Sequence, residues 1–129
     1  MTSLGAERFR KLIEGAGGFV STNWVAQLLG TSEEVVRKRA QQNTLVARHA
    51  ASGELSFPRF QFNEPNRQLI RGLKEFLAET DSWTPDKVIT FLLVRHNPEH
   101  TDDTPLAMLK RGELDGVLRL ASVHLQQRP

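Results

Sequence analysis

Two short amphipathic helical patterns separated by one glycine constrain this chain more than anything else in it. Trp24, Val25, Leu28 and Leu29 fall at helical core spacing, Gly30 interrupts, and Val35, Val36 and Ala40 resume that spacing to about Gln42. Isolated helices shorter than about 12–15 residues are marginal in water, so each piece must bury its apolar stripe in a tertiary structure. Gly30 supplies the positive φ that a tight turn between them requires. Ser21 is placed to cap the first helix, and either Thr31 or Ser32 the second, Thr31 with Glu34 having capping-box spacing.

The flanking segments complete a small unit. Residues 4–14 set Leu4, Phe9, Leu12 and Ile13 on one side of a helical wheel and Arg8, Arg10 and Lys11 largely on the other, and Gly15-Ala16-Gly17-Gly18 ends that helix. A short extended piece, Phe19-Val20, follows. Leu45 to Arg48 and Glu54 to Phe57 are strand-like, with the turn-forming tract Ala50 to Gly53 between them, and predict a β-hairpin. Pro58 ends the second strand. Trp24, Phe57, Phe60 and Phe62 could form a base-stacking platform, but aromatic residues among aliphatic helix positions belong more often to a core.

Residues 63–66, Asn-Glu-Pro-Asn, read as a linker, and everything after them reads as helical. A helix over 67–79 carries Leu69, Ile70, Leu73, Phe76 and Leu77. Thr84-Pro85 and Thr104-Pro105 each open a helix with a cap followed by proline at the first position, Gly112 stops the third, and a last helix runs from about Glu113. The expected class is mainly α with a small β-hairpin: a winged helix-turn-helix in 1–62 and a helical bundle in 67–129.

Composition narrows function mainly by exclusion. The 129 residues are too few for a large catalytic architecture, and 39% hydrophobic with 25% charged residues is ordinary for a globular chain. With no cysteine there is no thiolate metal site or cysteine nucleophile, as suits a reducing compartment. No apolar run is long enough for a membrane span and the N-terminus lacks a secretory signal pattern, so a cytoplasmic protein is expected, without membrane contact. Of the four histidines only His96 and His100 are close in sequence, and Pro98 between them breaks the helix that would align them, so no metal is expected. Asp102-Asp103 is a solvated pair rather than two carboxylates flanking a substrate. No catalytic residue and no cofactor are expected, and the chain is not read as an enzyme. The net charge is only +2, and up to residue 66 eight cations face six anions, so the whole excess lies in the first half. A local basic face suffices for phosphate, because affinity follows neutralised contacts.

The run Trp24 to Val36 resembles the helix-turn-helix motif, with small Ala26 allowing close approach, Gly30 in the turn and Val36 locking the second helix. In that motif the second helix enters the major groove of double-stranded DNA, which makes Ser32, Glu33, Arg37, Lys38 and Gln41 the candidate readers. Arg37 or Lys38 suits guanine O6 and N7, Gln41 adenine, and Ser32 a phosphate. Glu33 and Glu34 oppose phosphate unless aimed at cytosine amino groups. The bland alternative is that Glu33–Arg37 and Glu34–Lys38 are i,i+4 pairs on a solvated face. With the hairpin, the first half resembles the winged arrangement of excisionase and MerR-type regulators, which makes Arg48 and Arg59 phosphate contacts.

In the second half, Trp83, Phe91-Leu92-Leu93, His96-Asn97-Pro98, Thr104-Pro105-Leu106 and Leu109 to Leu118 resemble the toxin-binding domain of the Xre/MbcA/ParS antitoxins. That resemblance covers about a third of the chain. It implies a homodimeric type II antitoxin that represses its own operon and holds a cognate toxin, usually of the RES-domain kind, with its C-terminal helices. Asn97, Thr104, Pro105, Leu106, Arg111 and Arg119 are the partner-binding candidates. The alternative is a protein-interaction adaptor that binds no DNA.

Overall fold

The computed structural model describes residues 3–96 and 103–126. Among them are seven helices and two small antiparallel sheets, and the chain divides into two compact units, Met1–Gln68 and Leu69–Pro129.

The first unit is built around three helices, α1 (Ser3–Gly15), α2 (Thr22–Leu29) and α3 (Glu33–Gln41). Ser21 caps α2 as expected, its hydroxyl accepting from Trp24 N at 3.1 Å. Ser32, not Thr31, caps α3, accepting from Val35 N at 3.2 Å, and Thr31 instead donates its main-chain N–H to Ala26 O. Val25 and Val36 are fully buried and Ala26 nearly so. Val35, expected in the core, is 37% exposed, because it projects about 100° around the helix from Val36 and only one side of α3 is covered.

Phe19-Val20 is strand β1, and it pairs with β3 (Leu55–Pro58), which also pairs with β2 (Arg48–His49), in the order β1-β3-β2. The hairpin is therefore shorter on its first strand than the sequence predicts. Leu45 and Val46 are buried but lie outside the ladder, and the reason is Gln61. Its fully buried amide accepts from Val46 N at 2.9 Å and donates to Val46 O at 2.8 Å and Pro58 O at 3.1 Å. A side chain thus satisfies the backbone groups that a strand partner would otherwise take. Phe57, Phe60 and Phe62 are core residues, which leaves no exposed stacking platform among them.

Of the residues read as a linker, Asn63 ends a strand and 64–66 lie in the turn, 64–67, of a hairpin. Strands β4 (Phe62–Asn63) and β5 (Gln68–Leu69) form a two-stranded ribbon, closed by Arg67 N donating to Glu64 O and Asn66 N to Asn63 Oδ1. The helix predicted over 67–79 consequently begins only at α4 (Leu73–Glu79). Arg67 at φ 55° and Gly72 at φ 80° adopt left-handed backbone, which a right-handed helix cannot contain, although Leu69, Ile70 and Leu73 mimic its spacing.

In the second unit, Thr84 and Thr104 cap α5 (Pro85–Leu93) and α6 (Pro105–Lys110) through their hydroxyls, with proline at the start of each as predicted. Gly112, at φ 86°, follows the end of α6, and α7 (Leu114–Gln126) closes the chain's described part. Leu73, Phe76, Leu77, Ile89, Leu92, Leu109 and Val117 form its core. Phe91 stacks on Phe76 at 5.6 Å, and Trp83 meets both rings edge-on. No described helix is long and apolar enough to cross a membrane.

Replacing Gln61 by leucine keeps the volume but strands the buried N–H and C=O of Val46. The variant is expected to lose about 3 kcal/mol of stability, read from urea unfolding. A loss below about 0.5 kcal/mol would show that the clamp is dispensable.

Candidate nucleic-acid interface

The outer face of α3 is set by the turn before it. Gly30 sits at φ 71°, ψ 39°, and its N–H and that of Thr31 both return to Ala26 O, so α2 ends abruptly and α3 begins after three residues. With Val36 pointing into the core, the positions opposite it are Glu34, Lys38 and Gln41, all exposed. Arg37 flanks this face, and Arg39, also exposed, lies about 60° around the helix from Val36.

Five of the seven residues expected to meet DNA lie on this helix or at its cap. Arg37, Lys38 and Gln41 are exposed; Ser32 is exposed too, and its hydroxyl accepts the capping bond while keeping a proton to donate. Glu33 is half-buried and engaged on both oxygens, with Asn23 Nδ2 at 3.0 Å and Arg37 Nη1 at 3.5 Å. The i,i+4 pair foreseen between Glu33 and Arg37 is present, although a surface pair of this kind contributes little to stability.

The other two cations are used differently. Arg48 is half-buried, its guanidinium 4.9 Å from the Phe9 ring centroid and 5.8 Å from that of Phe19, so it ties the wing to α1. Arg59 makes a two-pronged pair with Glu64, Nε to Oε2 at 2.8 Å and Nη2 to Oε1 at 3.1 Å, and lies over the Trp24 ring. Its stem passes Gly17, where a Cβ would stand 3.4 Å from Arg59 Cδ. The wing tip, Ala50 to Gly53, carries no cation. On α1, Arg10 is paired with Glu7 and Glu14, while Arg8 and Lys11 are exposed.

Sequence reasoning missed three polar residues that organise this region. Asn23 and Gln27 on α2 are hydrogen-bonded to one another at 3.0 Å, and i,i+4 spacing could have suggested it. Arg67, 40 residues away, donates to Gln27 O at 2.7 Å, satisfying a carbonyl in the last turn of α2 where a cation is favoured. No local pattern announces that bond.

The partner-binding candidates of the second unit are mostly occupied. Pro105 and Leu106 are buried in the unit's own core, and Thr104, half-buried, caps α6 through its hydroxyl. Arg111 is held by Glu113 at 2.9 Å and Asp103 at 2.6 Å, and its hydrogen bond holds the Glu113 carboxyl below the usual range. Arg119 is exposed and lines an open groove of about 440 Å³ with Met108, Leu114 and Gly116. Asn97, with His100 and Asp102, lies outside the described residues. Among the described residues no group of three or more acidic or histidine side chains is placed to hold a metal ion.

No protein-family model and no curated protein matches the chain. Among solved structures it is similar to the NMR structure of Rv2175c, a mycobacterial protein, with a TM-score of 0.64 and 21% identity. The likeness covers 82% of this chain and 80% of that one, and at this identity it shows a shared fold.

The hydrogen bond from Arg59 holds the Glu64 carboxyl below its ordinary range, against a smaller opposing effect of desolvation. The stabilisation from this pair is therefore complete above the unfolded carboxylate pKa and is lost as pH falls through the lower folded value. In Arg59→Ala, the Glu64 titration followed by carboxyl-carbon NMR is expected to move up toward the ordinary value. An unmoved midpoint would exclude the pair in solution.

Proposed function

We propose that this chain is a double-stranded DNA-binding transcriptional regulator that reads the major groove with α3. One observation carries the reading: a left-handed turn at Gly30 docks α3 on α2 through Val36, leaving Arg37, Lys38 and Gln41 exposed together on the outward side. A nine-residue helix so mounted has the length and freedom to enter a groove. Its side chains fit the chemistry of base edges, guanine for the cations and adenine for the glutamine. Arg48 and Arg59 support the scaffold in this reading, and phosphate contacts fall to Ser32, Lys38 and the exposed cations Arg8 and Lys11.

One such unit covers one half-site, so a homodimer on a two-fold symmetric operator is the form in which the reading is complete. The second unit is then the site for a protein partner. The Thr104-Pro105-Leu106 start and the segment from Leu109 to Leu118 support the more specific reading of an antitoxin that holds a RES-type toxin, with Arg119 and its groove as the exposed contact. Co-purification with the product of the adjacent reading frame tests that part separately.

Fluorescence anisotropy on selected duplexes tests the DNA part. The double variant Arg37→Ala, Lys38→Ala is expected to bind at least about tenfold more weakly at moderate salt, and to reduce the slope of log K against log salt by up to about 2. Absence of any salt-sensitive duplex binding by the unaltered chain would favour the adaptor that binds protein alone.

A further inference from the structure

Glu33 is a carboxylate in the first turn of the helix proposed to meet DNA, where it opposes phosphate. Its bonds show how the chain accommodates it. Oε2 accepts from Asn23 Nδ2 on α2 at 3.0 Å and Oε1 faces Arg37 Nη1 at 3.5 Å, so both oxygens are turned toward protein groups. Asn23 is fixed in turn, because Gln27 Nε2 donates to its Oδ1 at 3.0 Å. A carboxylate only accepts, so the amide of Asn23 must present nitrogen to Glu33 and oxygen to Gln27. Gln27 is anchored at its own carbonyl by Arg67 at 2.7 Å. From side chain to side chain the network therefore runs from Gln27 through Asn23 and Glu33 to Arg37, crossing from α2 to α3, while Arg67 meets only the main-chain carbonyl of Gln27.

We propose that Glu33 is a positioning residue: tied to α2 through Asn23, it sets the direction of the Arg37 guanidinium and so decides which base edge Arg37 meets. This rests on the DNA reading above and deepens it, replacing direct contact of Glu33 with cytosine. The side chains of Glu33 and Arg37 are 43% and 54% exposed, so the pair contributes little to folding, and its consequence lies in orientation. An arginine whose long side chain is restrained before binding loses less freedom on meeting its base, and a misdirected one loses the two-pronged contact that distinguishes guanine.

The test compares the full-length chain with Glu33→Ala, Glu33→Gln, Asn23→Ala, Arg37→Ala and the Glu33→Ala, Arg37→Ala double variant, each on a selected duplex, its single-base changes and an unrelated duplex. Glu33→Ala is expected to fold normally and to bind the unrelated duplex as tightly as the parent or more tightly, since a charge opposing phosphate is gone. Its discrimination at one base position should fall about tenfold. Asn23→Ala should fall in the same direction, and Glu33→Gln, which keeps an acceptor for Asn23 but loses the charge facing Arg37, should lie between. In the Arg37→Ala background, Glu33→Ala should cause no further loss. An equal loss in both backgrounds would mean that Glu33 reads a base itself, and unchanged discrimination in Glu33→Ala would mean that it does neither; both overturn the positioning role while leaving DNA binding intact. Failure of the parent chain to bind any duplex would overturn the DNA reading and the positioning role with it.

Discussion

The packing of α2 against α3 around the left-handed turn at Gly30 is the contact on which the first unit depends. Helices of eight and nine residues cannot hold themselves together by internal hydrogen bonds alone. Burying Val25, Ala26 and Val36 fixes both at once, and it also fixes which residues of α3 stay outside. A residue with a Cβ at position 30 would strain the turn, whose φ of 71° lies in the left-handed region. Exposure of Arg37 and Lys38 is thus a by-product of core packing.

Around that contact the unit is closed by polar side chains of unequal weight. Gln61 is fully buried and meets both main-chain groups of Val46, so it acts where an unmade hydrogen bond is costly. Arg59 and Arg67 work at the surface, where solvent screens charge, and their value is in direction. Arg59 spans Gly17, Trp24 and Glu64, while Arg67 reaches the end of α2. Among the described residues every buried side-chain nitrogen or oxygen has a partner.

The charge of the first half is modest, and much of it is paired within the protein. Arg10, Arg48 and Arg59 face carboxylates or rings of their own unit. What remains outward is a small set on α3 and α1, which in the proposed DNA reading would make a few placed phosphate and base contacts rather than a broad electrostatic attraction. In the second unit the same economy holds: Arg111 is shared by Asp103 and Glu113, and Thr104 is consumed in capping α6.

Much of this was legible in the residues in order. Ser21, Thr84-Pro85, Thr104-Pro105, Gly30 and Gly112 marked helix ends because capping and positive φ are short-range requirements that one or two residues can meet. Spacing placed Val25, Val36, Leu92 and Leu109 in the core for a similar reason, since the period of a helix is local. Local pattern failed where distant groups competed for the same backbone. Leu45-Val46 read as a strand, yet Gln61 took the hydrogen bonds of Val46; Gln68-Leu69 read as the start of a helix, yet the ribbon with Phe62-Asn63 claimed them. Likewise the sequence by itself determined that α3 would carry Glu33, Arg37, Lys38 and Gln41 on a helix, but only the tertiary structure decided that Glu33 turns toward Asn23, that Arg48 lies against Phe9 and Phe19, and that Arg59 pairs with Glu64. Composition and period fix which groups a segment owns, whereas the direction of a long polar side chain depends on which partners the fold brings within 3 to 4 Å of it.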